Sequence, residues 1–198
     1  MEVKGRKRVV RWWKVVADQN DEIRVPEEAA AAASTAEAMS DEDRRLLKKY
    51  SHTFIGSYSH SLDAKGRMVV PLVFREALGD TFCIAPSYDF KSIALYPNLM
   101  WARMRDRYEK LGRVNSSLRR YLEQLDALSF RDQECDGQGR VLLPAKIRAC
   151  ILSDDKDVEI TGASDHVRVV TRVSADEQFQ KFMQDLPGLL DDISALEE

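Results

Sequence analysis

The 198-residue chain is poor in the residues that build metal and disulfide sites. It has three cysteines, Cys83, Cys135 and Cys150, and no two share a CxxC spacing. An odd, scattered set does not make a disulfide framework, and it suits a reducing compartment. Three histidines, His52, His60 and His166, stand at no metal-ligand distance from the cysteines, so no metal site is expected. The segment SDDKD, Ser153 to Asp157, carries carboxylates without the Gly and terminal Glu of a calcium loop, and reads as an acidic surface turn. No apolar run reaches the length of about 18 residues that a membrane helix needs. The basic start MEVKGRKRVVRWWKVVA is interrupted by Arg11 and Lys14, so it lacks the apolar centre of a secretory signal. No GxSxG, HExxH, GxxxxGKS or GxGxxG motif is present, and Ser, Cys and His are not arranged as a triad. Neither an enzyme nor a cofactor is expected. A surplus of positive charge is also missing, the formal net charge being −3. That excludes little, because the placement of charge matters more than its sum.

What is present divides the chain. Residues 1–53 read as a disordered or partly helical extension: a basic start, then the Ala-rich, acidic EEAAAAASTAEAMSDED, which has too little apolar surface to offset its ordering entropy. Two other readings stand beside that one, an arm touching DNA or a membrane and a translation start at Met39. From Phe54 the patterning becomes regular. FIGSYSHSLD alternates as a strand with Ile55 and Tyr58 as burial candidates, and RMVVP is a second strand. PLVFREALG reads as a short helix between Pro71 at its first position and Gly79 past its end. TFCIAP and SIALYP follow as strands. Residues 98–128 form a helical linker, broken near Gly112 to Asn115, with Leu99, Met100, Met104, Tyr108 and Leu111 at helical spacing. Its stripe of Met100, Trp101 and Met104 is either core or an oligomer contact. Its arginines, Arg103, Arg105, Arg107, Arg119 and Arg120 among them, form a solvated face or partner the acidic C-terminus. Strand, turn, strand, helix and two strands then recur over 129–173. A helix carrying Phe179, Phe182 and Met183 and an acidic tail fill 174–198. Cys83 and Cys150 look packed, and Cys135 exposed.

The recurrence is the strongest feature. LDAKGRMVVP, Leu62 to Pro71, matches CDGQGRVLLP, Cys135 to Pro144, at an offset of 73 residues. Asp63 pairs with Asp136, Gly66 with Gly139, Arg67 with Arg140, Pro71 with Pro144 and Arg75 with Arg148. Two copies are too few for a solenoid. The Asp and Gly have a sufficient local explanation. Asp opens a type I turn by accepting backbone N–H groups, and Gly follows at positive φ, a common hairpin connection. The Arg allows two readings: it pins the hairpin by pairing with its own Asp, or it is presented by a rigid turn to a phosphate or a guanine edge. Lys65 adds a cation at the first turn, where the second has Gln138, so the copies should differ in strength.

On these paired D-x-x-x-R motifs, each followed by a strand and Pro, the stretch from Thr53 to Val173 closely resembles the MraZ family of bacterial transcriptional regulators, which carry two SpoVT-AbrB-type units in tandem. The resemblance implies a mixed α+β, mainly β fold: a swapped-hairpin AbrB-like barrel built from two internal repeats, 54–97 and 129–173, with connecting and C-terminal helices. It implies double-stranded DNA as partner, at direct repeats in the promoter of the division and cell-wall gene cluster. It also implies a homo-oligomeric ring and a cytoplasmic, nucleoid-associated protein without a membrane partner. The DNA-contacting positions of the family fall on Lys65, Arg67 and Arg140, with Asp63, Gly66, Asp136 and Gly139 as motif support. Several turns in one assembly would raise effective concentration at a repeated site. An AbrB-fold antitoxin-like partner-binding module is the alternative, kept open by the acidic tail.

Overall fold

A computed structural model describes residues 40–51, 53–112, 115–153 and 155–196. The basic start and the Ala-rich segment as far as Met39 lie outside these residues. The chain divides into two units, Met1–Leu47 and Lys48–Glu198. Helix α1, Asp41–Tyr50, begins with carboxylates, which the positive end of a helix dipole favours.

Within the second unit the elements are β1 (Ser57–Ser61), β2 (Arg67–Val69), α2 (Leu72–Leu78), β3 (Phe82–Pro86), β4 (Ile93–Pro97), α3 (Asn98–Gly112), α4 (Ser116–Ala127), β5 (Phe130–Gln133), β6 (Arg140–Leu142), α5 (Ala145–Ile151), β7 (Asp157–Gly162), β8 (Val167–Thr171) and α6 (Arg172–Leu196). Six strands form one antiparallel sheet in the order β1-β7-β8-β4-β3-β5, and β2 pairs with β6 in a separate ribbon. Exchanging the repeats, β1 for β5, β3 for β7 and β4 for β8, reverses the six-strand order onto itself. The halves are therefore related by a pseudo-twofold, and each repeat's first strand lies against the other's third. The six-stranded sheet is open, with β1 and β5 at its edges.

Period-two alternation sends side chains to two cores. One is shared by the repeats and lies between sheet, ribbon, α2 and α5. It takes Phe74, Ile84 and Leu95 from the first repeat and Leu143, Ile147 and Ile160 from the second. The other lies on the opposite face of β3 and β4, where Cys83, Ala85 and Tyr96 meet Trp101, Leu122 and Leu125 of α3 and α4. Trp101 is thus core, with Met104 packed against the same cluster.

Some expectations are corrected. Ile55 is 72% exposed and Tyr58 lies at the surface; Phe54 takes the buried place instead. Phe54 bridges to Ser164, and Gly56 at φ 114° redirects the chain before β1, which resets the alternation. Cys150 is exposed rather than packed, because α5 turns Ile147 inward and leaves Cys150 on its outer side. Cys135 is half-buried against the shared core. Pro71 caps α2 from outside rather than opening it, and Gly79 ends it at φ 83°. The last helix starts at Arg172, where the Ser174 N–H donates to Thr171 Oγ1 (3.1 Å), and continues through Pro187. Among the described residues no helix is long and apolar enough to cross a membrane.

Candidate functional site

The two turns are built alike, atom for atom. In the first, Asp63 Oδ1 accepts from the backbone N–H groups of Lys65 and Arg67, both at 2.9 Å. Its Oδ2 accepts from Arg67 Nε at 2.7 Å. The Gly66 N–H donates to Asp63 O at 2.9 Å, with Gly66 at φ 79°. In the second, Asp136 Oδ1 accepts from Gln138 N (3.0 Å) and Arg140 N (2.9 Å), and Oδ2 from Arg140 Nε (2.8 Å). The Gly139 N–H donates to Asp136 O at 2.7 Å, with Gly139 at φ 73°. A residue with a Cβ would be strained at either glycine. So each Asp closes a turn and, with its second oxygen, fixes the plane of a guanidinium.

The bonding tunes the carboxylates. The Arg67 backbone N–H, helped by that residue's side chain, holds the Asp63 pKa down at about 2 despite the opposing effect of desolvation. The side chain and then the backbone of Arg140 hold Asp136 at about 2 in the same way. Charge-assisted hydrogen bonds to the ionised form produce this direction of shift.

The ribbon sets where the arginines point. Its register pairs Arg67 with Leu142, Met68 with Val141 and Val69 with Arg140. Met68 and Val141, each 1% exposed, face the shared core. Arg67, Val69, Arg140 and Leu142 therefore project from the outer face. Both arginine side chains keep access to solvent, at 28% for Arg67 and 29% for Arg140. Arg67 Nη1 stands 3.8 Å from Asp136 Oδ2, so the motifs of the two repeats adjoin. The Lys65 side chain is exposed at the tip of the first turn. The turn segments thus converge on one face, brought there by ribbon pairing across 73 residues of sequence.

A second pair of arginines lies behind the turns. Arg148 of α5 packs against Gly66, and Arg75 of α2 packs against Gly139. Their sequence correspondence was visible at the 73-residue offset, but which turn each one supports was not.

Sequence comparisons with known proteins place the chain in one group. Residues 53–124 match the family described as "MraZ protein, putative antitoxin-like". The chain is 34% identical over 119 residues to a protein of Moorella thermoacetica named transcriptional regulator MraZ, covering 60% of this chain and 81% of that one. A protein of the same name from Natranaerobius thermophilus is 31% identical over 140 residues, 71% of this chain and 96% of the relative. The chain belongs to the MraZ family. A third MraZ, from Desulforamulus reducens, is 28% identical over 144 residues, 69% of this chain and 99% of its own. All three relatives are named as transcriptional regulators, in agreement with the expectation of a non-catalytic chain. The match to the family profile takes in the first turn, α2, β3, β4 and α3; the longer relatives extend the likeness further along the chain.

Proposed function

We propose that this MraZ chain is a sequence-specific DNA-binding transcriptional regulator, with Lys65, Arg67 and Arg140 as its DNA-contacting residues and Asp63, Gly66, Asp136 and Gly139 as the frame that holds them. The observation that carries the reading is the outer face of the β2–β6 ribbon, where two carboxylate-fixed guanidiniums project side by side. A fixed planar fork with donors to spare suits a phosphate or the O6/N7 edge of guanine.

The reading extends to the assembly. The repeats are taken as SpoVT-AbrB units, 54–97 and 129–173, whose sheet and ribbon enclose one swapped-hairpin barrel; their shared core and reciprocal pairing support this. A homo-oligomeric ring would set many turns against direct repeats in the promoter of the division and cell-wall gene cluster, in the nucleoid. Exposed Phe179, Phe182 and Met183 on α6 are in keeping with contacts between copies. The antitoxin-like alternative expects an acidic tail that wraps a partner in extended form. Here Arg172–Leu196 is a continuous helix, which favours the regulator.

A footprint of the full chain on the DNA upstream of its own gene tests this. Evenly spaced protection that resists competitor DNA is expected. Protection that competitor removes uniformly would overturn the proposed specificity.

A further inference from the structure

The two glycines at the turns are crowded from the other repeat. A Cβ built at Gly66 would lie 1.7 Å from Nη1 and 2.4 Å from Cζ of Arg148. One built at Gly139 would lie 2.4 Å from Nη1 and 2.5 Å from Cζ of Arg75. Each guanidinium therefore occupies the space on its glycine where a side chain would be. The backbone repeats the crossing. The Leu143 N–H, just before α5, donates to Gly66 O at 3.1 Å, and the Val70 N–H, just before α2, donates to Gly139 O at 2.9 Å. So the strand-to-helix corner of each repeat holds the opposite turn twice, by a backbone bond and by an arginine. Arg75 Nε is buried without a hydrogen-bond acceptor, so this guanidinium is held at least partly by packing, as its flat, weakly hydrated face allows.

We infer that Arg148 and Arg75 are crossed positioning residues: Arg148 fixes the turn that presents Lys65 and Arg67, and Arg75 fixes the turn that presents Arg140. Their role as positioners of DNA contacts rests on the function proposed above; the crossing itself does not. Because the braces run between repeats, neither turn keeps its shape without the other half of the molecule. A change in α5 is felt at the first motif, some 80 residues earlier in the chain, before it is felt at the neighbouring second one.

Hydrogen exchange of the full chain, read by mass spectrometry in peptides spanning each turn, separates this from a general loss of stability. Arg148→Ala is expected to speed exchange in the 62–70 peptide roughly tenfold and leave 135–143 within about twofold, and Arg75→Ala to do the reverse. Should a variant lose global stability, Arg148→Lys, which keeps charge and stem but not the flat fork, serves in its place. Equal acceleration at both turns, or acceleration at the turn of the same repeat, overturns the crossing. The second arm measures binding to upstream DNA. Arg148→Ala combined with Arg67→Ala should fall short of the product of the single effects by roughly three- to tenfold, while Arg148→Ala with Arg140→Ala should multiply. Multiplication in both pairs would overturn the positioning role. A wild-type chain that binds no DNA overturns the proposed function instead, and the exchange result still decides the crossing.

Discussion

The two repeats share their turns and differ on their outer sheet faces. Turn geometry agrees to about a tenth of an ångström in each hydrogen bond to the aspartate carboxylates. Outside the turns the sequences part. β3 and β4 are apolar on both faces, FCIAP and IALYP, because α3 and α4 cover their outer side. β7 and β8 alternate, with Glu159, Thr161 and Arg168 on the outer side, where Ser59 Oγ donates to Glu159 Oε2 at 2.6 Å. A strand buried on both faces reads as a continuous apolar run, and one half-covered reads as alternation. What both copies retain is the turn itself and the residue that braces the other copy's turn: Asp, Gly, Arg and Pro, and the helical Arg. What they vary is the surface each uses alone, including Lys65 against Gln138.

The largest expected contrast is in DNA affinity. Arg67→Ala should weaken binding by roughly 100-fold and Arg140→Ala by roughly tenfold, since the first turn has Lys65 beside its arginine and the second does not. The double variant should be weaker than either and should show a shallower salt dependence, because fewer counterions are released. Equal single effects would remove the asymmetry. In folding stability, Ile147→Ala in the shared core and Leu125→Ala in the α3–α4 core should each cost about 2–5 kcal/mol in denaturant unfolding. Only Ile147→Ala should also loosen both turns in hydrogen exchange. Gln138→Lys should bring the second turn closer to the first, tightening binding by about two- to fivefold and steepening the salt slope by about one ion. The smallest effect is in acid. Asp63 and Asp136 have folded pKa values near 2 against an ordinary value of 3.8. Groups with depressed values add stability above pH 3.8 that fades as pH falls toward 2. Melting temperature should decline through that window, and Asp63→Asn with Asp136→Asn should flatten the decline.

Much of this was legible because it is local. Asp63, Gly66 and Arg67 specify their turn within five residues, and the 73-residue offset revealed the second copy. Close to the expected break, α3 ends at Gly112 and α4 begins at Ser116, where the Asn115 side chain accepts from Leu118 N at 3.0 Å. The expectations that failed depended on neighbours distant in sequence. Ile55 and Phe54 are both apolar, and the bridge from Phe54 to Ser164 together with the turn of the chain at Gly56 sets which is buried. Cys150 sits one position off the inward face of a helix of seven residues, too short for periodicity to fix its phase. The supports of Gly66 and Gly139 by Arg148 and Arg75 depend on which repeat's corner meets which turn, and chain order alone would have given each arginine to its own turn.

The central claim is that the ribbon-borne guanidiniums are the DNA contacts. Its most direct test is a fluorescence-anisotropy titration of wild-type and Arg67→Ala chains against a duplex from the upstream region, in salt of about 0.15 M, with oligomer mass and melting temperature recorded for both. The expected result is roughly 100-fold weaker binding by the variant, at unchanged mass and stability. Binding within about twofold of wild type would contradict the claim and leave Arg67 as a pin for its own hairpin.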